Sequence, residues 1–128
     1  MDDFERFRKQ RTIVVTTFKR DGTAVPTPVS IAVDNDPTIG FMRTWSTAGK
    51  AKRLRHDHRV VIAPSTIRGR RTGPEMSATA CLLSGDENDH AARLLRRKYP
   101  VLHGVVVPLA HKLRRYTTLH YRLQVDSQ

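Results

Sequence analysis

The sequence predicts an α+β domain, mainly β, whose antiparallel sheet closes into a small barrel. Three observations carry this. About six short segments are rich in β-branched and aromatic residues, and only two or three short stretches have helical character. Asp21-Gly22 between the first two segments is a strong hairpin signal and makes their pairing antiparallel. Six strands without long helices to cover both faces protect their edges best by closure.

The elements follow in order. Residues 2–9 read as a short helix with Phe4 and Phe7 on one face. Residues 11–18, Arg-Thr-Ile-Val-Val-Thr-Thr-Phe, have the composition of a strand. The second strand runs from Thr23 to about Val33 and contains Pro26 and Pro28. Proline cannot donate to a ladder, so this strand lies at an edge or is interrupted. Because the two prolines share parity, their missing N–H groups fall on the same side. Asn35-Asp36-Pro37 is a turn, and Thr38–Trp45 a third strand. Ser46 and Thr47 are candidate caps for a helix from Ala48 to about Asp57. Arg59–Ser65 is the fourth strand, Thr66–Pro74 a basic loop with Gly69 and Gly73, and Glu75–Leu83 the fifth strand. Ser84-Gly85-Asp86 opens a second helix reaching about Tyr99, with Asp86 and Asp89 suited to its positive end. Residues 100–112 give no clear pattern. Tyr116–Val125 alternates, with Leu119, Tyr121, Leu123 and Val125 on one side and Thr118, His120, Arg122 and Gln124 on the other. It is the sixth strand, with one buried face.

The 128 residues fit one domain, residues 1–128, and no linker or repeat divides them. No stretch approaches the roughly 20 apolar residues of a membrane span. The acidic start without an apolar run argues against a secretory signal. A single cysteine, Cys81, excludes an internal disulfide and a cysteine-rich zinc site, so a reducing cytoplasmic setting is expected. The net charge is +11 and unevenly placed. Residues 1–38 carry six bases and six acids, and residues 39–128 seventeen bases and six acids. Such a field attracts anions: nucleic acid, an acidic membrane surface, or a phosphorylated or carboxylated small molecule.

The densest chemical signal is Arg43-Thr44-Trp45-Ser46-Thr47-Ala48-Gly49-Lys50-Ala51-Lys52-Arg53-Leu54-Arg55. A strand ends, hydroxyls and a glycine follow, and a helix opens with bases in its first turns. That arrangement offers free N–H groups, hydroxyls and ammonium groups to a phosphate. A solvated basic helix with an ordinary cap reads equally well from the spacing. Ala51 and Leu54 would pack the helix down and leave Lys50 and Arg53 outside. GxxxxGK[ST] is absent, so this is not a P-loop. Cys81 lies mid-strand and reads as buried and structural. His56 and His58 do not share a helix face, the other histidines are scattered, and no metal site is expected. No catalytic triad or paired carboxylate stands out, so no catalytic side chain is assigned, and any hard chemistry belongs to a cofactor. The loop Arg68-Gly69-Arg70-Arg71-Thr72-Gly73 is either an anion clamp or a solvated loop. The basic runs are not interleaved with the 8 aromatic residues, which argues against single-strand nucleic-acid stacking.

In their order, Pro26-Thr27-Pro28-Val29, Phe41-Met42-Arg43-Thr44-Trp45, the stretch from Gly49 to Val60, and Gly85 ahead of a helix ending Lys98-Tyr99-Pro100 resemble the pyridoxamine-phosphate-oxidase-like split β-barrel flavoproteins. Within them the chain is most similar to the small actinobacterial group of oxidoreductases that depend on the deazaflavin coenzyme F420. The resemblance covers about residues 4–125. It implies a six-stranded split β-barrel of the flavin-reductase/FMN-binding type and a homodimer with two cofactor sites at its interface. Thr27, Pro28, Val29 and Ser30 would then line the isoalloxazine. Arg43 and Thr44 would lie beside the ribityl chain and phosphate, and Lys50, Lys52 and Arg53 would hold the phosphate. F420 carries a phosphodiester and a polyglutamate tail, which suits the positive charge, and FMN is the alternative cofactor. The implied chemistry is hydride transfer from reduced cofactor to a small-molecule acceptor. An FMN- or FAD-binding reductase, or a flavin carrier without turnover on the same fold, is the alternative. A basic nucleic-acid-binding barrel is the alternative from another class.

Overall fold

The structure, a computed structural model, describes residues 3–46, 48–100 and 118–126. A 3-10 turn (Glu5–Phe7) is followed by β1 (Thr12–Phe18), β2 (Ala24–Val29), β3 (Ile31–Val33), β4 (Ile39–Trp45), α1 (Gly49–Leu54), β5 (Arg59–Ser65), β6 (Met76–Leu82), α2 (Gly85–Lys98) and β7 (Thr118–Val125). The helix expected over residues 2–9 is only that single turn. Its two phenylalanines, Phe4 and Phe7, are nevertheless fully buried.

All pairings are antiparallel, and the strand order is β2-β1-β5-β6-β7-β4-β3. The two outermost strands, β2 and β3, are consecutive in the chain with only Ser30 between them. The sheet therefore has to curl until its ends meet. The second strand expected over residues 23–33 is thus two strands, one at each edge, and the described residues form seven strands rather than six. The prolines explain why the ends do not zip together. Pro26 and Pro28 stand opposite Thr16 and Val14. Occupying alternate positions without N–H groups, they leave the outward edge of β2 nothing to donate there.

Side chains finish the facing edge of β3. The Tyr99 hydroxyl lies 3.4 Å from the Ile31 N–H nitrogen, 3.1 Å from Ile31 O and 2.6 Å from Arg11 O. Lys98 Nζ donates to Ile31 O at 2.6 Å and to Phe7 O at 3.3 Å. Arg8 donates to Val33 O and Asp34 O. The C-terminus of α2 thus satisfies backbone groups that the strand break orphans, and buried backbone polar groups require such partners.

The barrel interior holds Ile13, Val15, Ile31, Met42, Leu54, Val60, Ile62, Ala78, Tyr121 and Leu123 with the two phenylalanines. A smaller cluster of Ala32, Phe41, Leu83, Ala91 and Leu95 lies under α2, on the outer face of β3 and β4. The alternation in β7 is as expected on its apolar side. The other side is not left to solvent, because α2 packs there and His120 is only 5% exposed. Ser84 precedes α2 without a side-chain cap bond, and the acids of the first turn are Asp86 and Glu87. Residues 101–112 and the start of the expected last strand, 116–117, lie outside the described residues. No helix among the described residues is long and apolar enough to cross a membrane.

Candidate functional site

One end of the barrel is stopped by α1, which buries Ala51 and Leu54 against β1 and β4. The helix is shorter than the expected span of 48–57. Its N-cap is Ala48, in extended conformation and with no side-chain cap bond, rather than Ser46 or Thr47. A tight turn from the end of β4, with Ala48 N–H bonded to Trp45 O at 3.0 Å, brings Ala48 into that place.

The bases of α1 do not all face solvent. Arg53 folds back so that its Nε donates to the buried Thr17 Oγ1 at 2.5 Å. It runs over Gly49, where an added Cβ would stand 2.8 Å from Arg53 Nη1. Lys50 is largely withdrawn from water. Burial, and then the charge of Arg53, pull its pKa from 10.5 down to about 8. No carboxylate pairs with Lys50 among the described residues. Residues 101–117 contain no Asp or Glu to supply one. Lys52 is exposed.

Arg43 stands elsewhere. Within β4, Met42 belongs to the interior cluster and Thr44 shares its parity and is buried, while Phe41 belongs to the cluster under α2. Arg43 is on the Phe41 side, opposite His120 in the ladder. Burial lowers its pKa, and Arg96 of α2 adds to this. His120 has Nδ1 2.9 Å from Asn88 Oδ1. Burial, with the charge of Arg43 second, takes its pKa to about 4. Lys50 and Arg53 are therefore together at the barrel end, and Arg43 is on the sheet face that α2 covers.

The residues at the strand break gather in a third place. Pro28, Val29 and Ser30 line a depression of about 220 Å³ with Arg11, Thr12, Ile67 and Tyr99. Thr27 lies beside them, its Oγ1 3.5 Å from Val15 O. The basic loop is an ordered hairpin: Thr66 N bonds Arg70 O, and Gly69 N bonds Thr66 O, each at 2.9 Å. Gly69 has φ +91° and faces the Pro28 ring, where a Cβ would sit 3.5 Å from Cδ. The same loop borders a second depression of about 270 Å³ that includes Val14, Thr16, Pro26, Val61 and Ala63. Among the described residues no helix covers this outer face of β2, β1 and β5.

Cys81 is half-buried on an outward position rather than in the interior. It stands opposite Arg122, whose Nη1 pairs with Glu87 at 2.8 Å. Among the described residues no group of three or more His, Cys, Asp or Glu could hold a metal. Sequence reasoning missed Arg11 and Ile67, and saw Tyr99 only as part of a motif. Tyr99 and Ile31 are 68 positions apart, and no local pattern joins them.

No family model and no curated protein matches the sequence. Solved structures match the fold. A protein of unknown function from Agrobacterium tumefaciens superposes with a TM-score of 0.73 at 18% identity, over 95% of this chain and 53% of the other. The chain thus spans about half the length of that protein. HutZ, the heme storage protein of Vibrio cholerae, gives 0.67 at 14% identity, over 99% of this chain and 93% of its own. A Listeria innocua protein assigned as a pyridoxamine 5'-phosphate oxidase gives 0.61 at 9% identity, over 93% and 86%. These likenesses, with the curled antiparallel sheet and its break at Ser30, show that the chain has the split β-barrel fold of the pyridoxamine-phosphate-oxidase-like proteins.

Proposed function

We propose that this chain is a cofactor-dependent oxidoreductase that binds F420, with FMN as the alternative, and passes a hydride from the reduced cofactor to a small-molecule acceptor. The observation that carries the reading is Lys50. An ammonium group largely withdrawn from water beside Arg53, with no carboxylate paired to it among the described residues, is costly until an anion arrives. A phosphate or phosphodiester supplies that anion. Lys50 and Arg53 would hold it, with Lys52 at the exposed edge. Thr27–Ser30 would present backbone groups to a flat heterocycle. Arg43 and Thr44, as the structure places them, would need a ligand reaching around the end of β4.

The bound cofactor supplies the two-electron chemistry. The chain's own residues orient it and exclude water, and no side-chain acid is required. The apolar face of β2, β1 and β5, which no helix covers among the described residues, suits a second copy of the chain, which would complete a homodimer. A cytoplasmic setting belongs to the same reading. A carrier without turnover is the second reading, favoured by the likeness to HutZ, whose name is that of a heme storage protein.

Parallel absorbance and fluorescence titrations with F420, FMN and FAD test the proposal. Saturable binding of one of them that weakens with salt supports it, and no binding of any refutes it. Consumption of bound reduced cofactor by added acceptors separates enzyme from carrier. Light scattering that gives the mass of one chain at micromolar concentration would refute the homodimer.

A further inference from the structure

The depression at the strand break does not include Lys50, Lys52 or Arg53 in its lining. Pro28, Val29, Tyr99 and Ile67 are among the residues that line it. Tyr99 and Ile67 are both held in place. Tyr99 is tied to Arg11 O and Ile31. Ile67 rides on the tight turn closed by Gly69 N–H to Thr66 O, with Gly69 against Pro28. That turn holds Ile67 80% exposed. A β-branched apolar side chain kept rigidly in water gains from anything flat and apolar that slides between it and the Pro28 ring. The volume, about 220 Å³, is below the roughly 300–1,000 Å³ of sites that enclose a whole drug-sized ligand. It suits one flat aromatic system, a single ring or a fused pair.

The rim carries charge. The guanidinium of Arg11 is close enough to the Tyr99 hydroxyl to bias its titration. Arg11 is exposed, and no carboxylate pairs with it among the described residues. Arg68 follows Ile67 directly.

We propose that this depression is the acceptor subsite, and that it takes a flat apolar ring bearing a carboxylate, with the ring between Pro28 and Ile67 and the carboxylate on Arg11. The inference rests on the proposed function in one respect: only if Thr27–Ser30 line the cofactor does the ring lie beside the hydride donor. In turnover the reduced cofactor would lose a hydride to an electron-poor carbon of the ring-bearing acceptor, and solvent would supply the proton that completes the two-electron reduction.

The test is a binding titration of the whole chain with 2-naphthoate and its methyl ester, followed by backbone-amide NMR, and it needs no cofactor. 2-Naphthoate is expected to bind about five- to tenfold more tightly than the ester, as a partly exposed charge-assisted contact allows. The shifts should centre on Arg11, Val29, Ser30, Ile67 and Gly69. Arg11→Ala should bring the acid down to the ester's affinity, and Arg11→Lys should restore part of the difference. Ile67→Ala should weaken both probes. Equal affinity for acid and ester, or shifts centred on residues 50–53, would overturn the proposal. So would shifts confined to the depression's amides on diluting the protein alone, with those of Val14, Thr16 and Val61 unmoved, which would make a second copy the occupant. If naphthoate maps as described while no flavin or deazaflavin binds, the functional reading falls and the ring-carboxylate site stands. If cofactor binds but acid and ester do not differ, the subsite falls alone.

Discussion

Replacing Lys50 by methionine should make the free protein more stable and a worse ligand binder. The side chains are of similar length, so packing around α1 is kept while the charge goes. A fall in pKa from 10.5 to about 8, at about 1.4 kcal/mol per pH unit, sets the cost of holding Lys50 charged at neutral pH at roughly 3 kcal/mol. Part of this is recovered through the amine's remaining contact with water, leaving a gain of about 1–2 kcal/mol in Lys50→Met. Unfolding entropy of about 2.1 cal/mol/K per residue makes each kcal/mol worth about 4 °C in a chain of this length, so Tm should rise by about 4–8 °C. The pH dependence has a definite sign. Between pH 8 and 10.5 the unfolded chain keeps the lysine proton and the folded one sheds it, so stability rises with pH through that window. Lys98, also near 8, adds in the same sense, and the variant should lose only the Lys50 share. Meanwhile inorganic phosphate should raise the Tm of the wild type and not of the variant. Cofactor affinity should fall about 10- to 100-fold, since a charge-assisted bond is worth roughly 1.5–3 kcal/mol. Scanning calorimetry with and without phosphate, and a fluorescence titration, measure both halves. A variant that melts below wild type and still binds cofactor equally well would refute the reasoning.

Three other outcomes follow from the same geometry. His120 is held neutral down to about pH 4, so its contribution to stability is complete above its unfolded pKa near 6.5 and is lost as pH falls toward 4; denaturant midpoints at pH 7.5, 5.5 and 4.5 should converge between wild type and His120→Gln as the pH drops. Tyr99→Phe removes the hydroxyl from Arg11 O and Ile31 and should cost about 1–3 kcal/mol in urea unfolding. Amide exchange in that variant should quicken first at Ile31, and uniform quickening would contradict the tether. Thr17→Val removes the acceptor for Arg53 Nε and should cost about 1–3 kcal/mol, while Lys50 remains able to bind phosphate, so the phosphate-induced rise in Tm should persist.

Much of the barrel was legible in the sequence because strand identity is a local matter. The β-branched runs at residues 12–18 and 59–65 and the alternation at 118–125 are written in neighbouring residues, and so is the Asp21-Gly22 turn. The two prolines announced an edge. What they could not announce was that residues 24–29 and 31–33 stand at opposite ends of one sheet. That depends on which partners are free elsewhere, β1 for one segment and β4 for the other. Likewise the basic stretch at residues 50–55 pointed to anions by composition alone. Only the packing of α1 decided that Arg53 turns inward to Thr17, that Lys50 is desolvated, and that Arg43 belongs under α2. Cys81 shows the same division. Its apolar neighbours implied the interior, but β6 has two faces, and the register with β7 put it on the one beside Arg122. Local propensity and periodicity fix what a segment is. Long-range pairing fixes which face it shows and what stands opposite, and that information lies in residues as far apart as Ile31 and Tyr99.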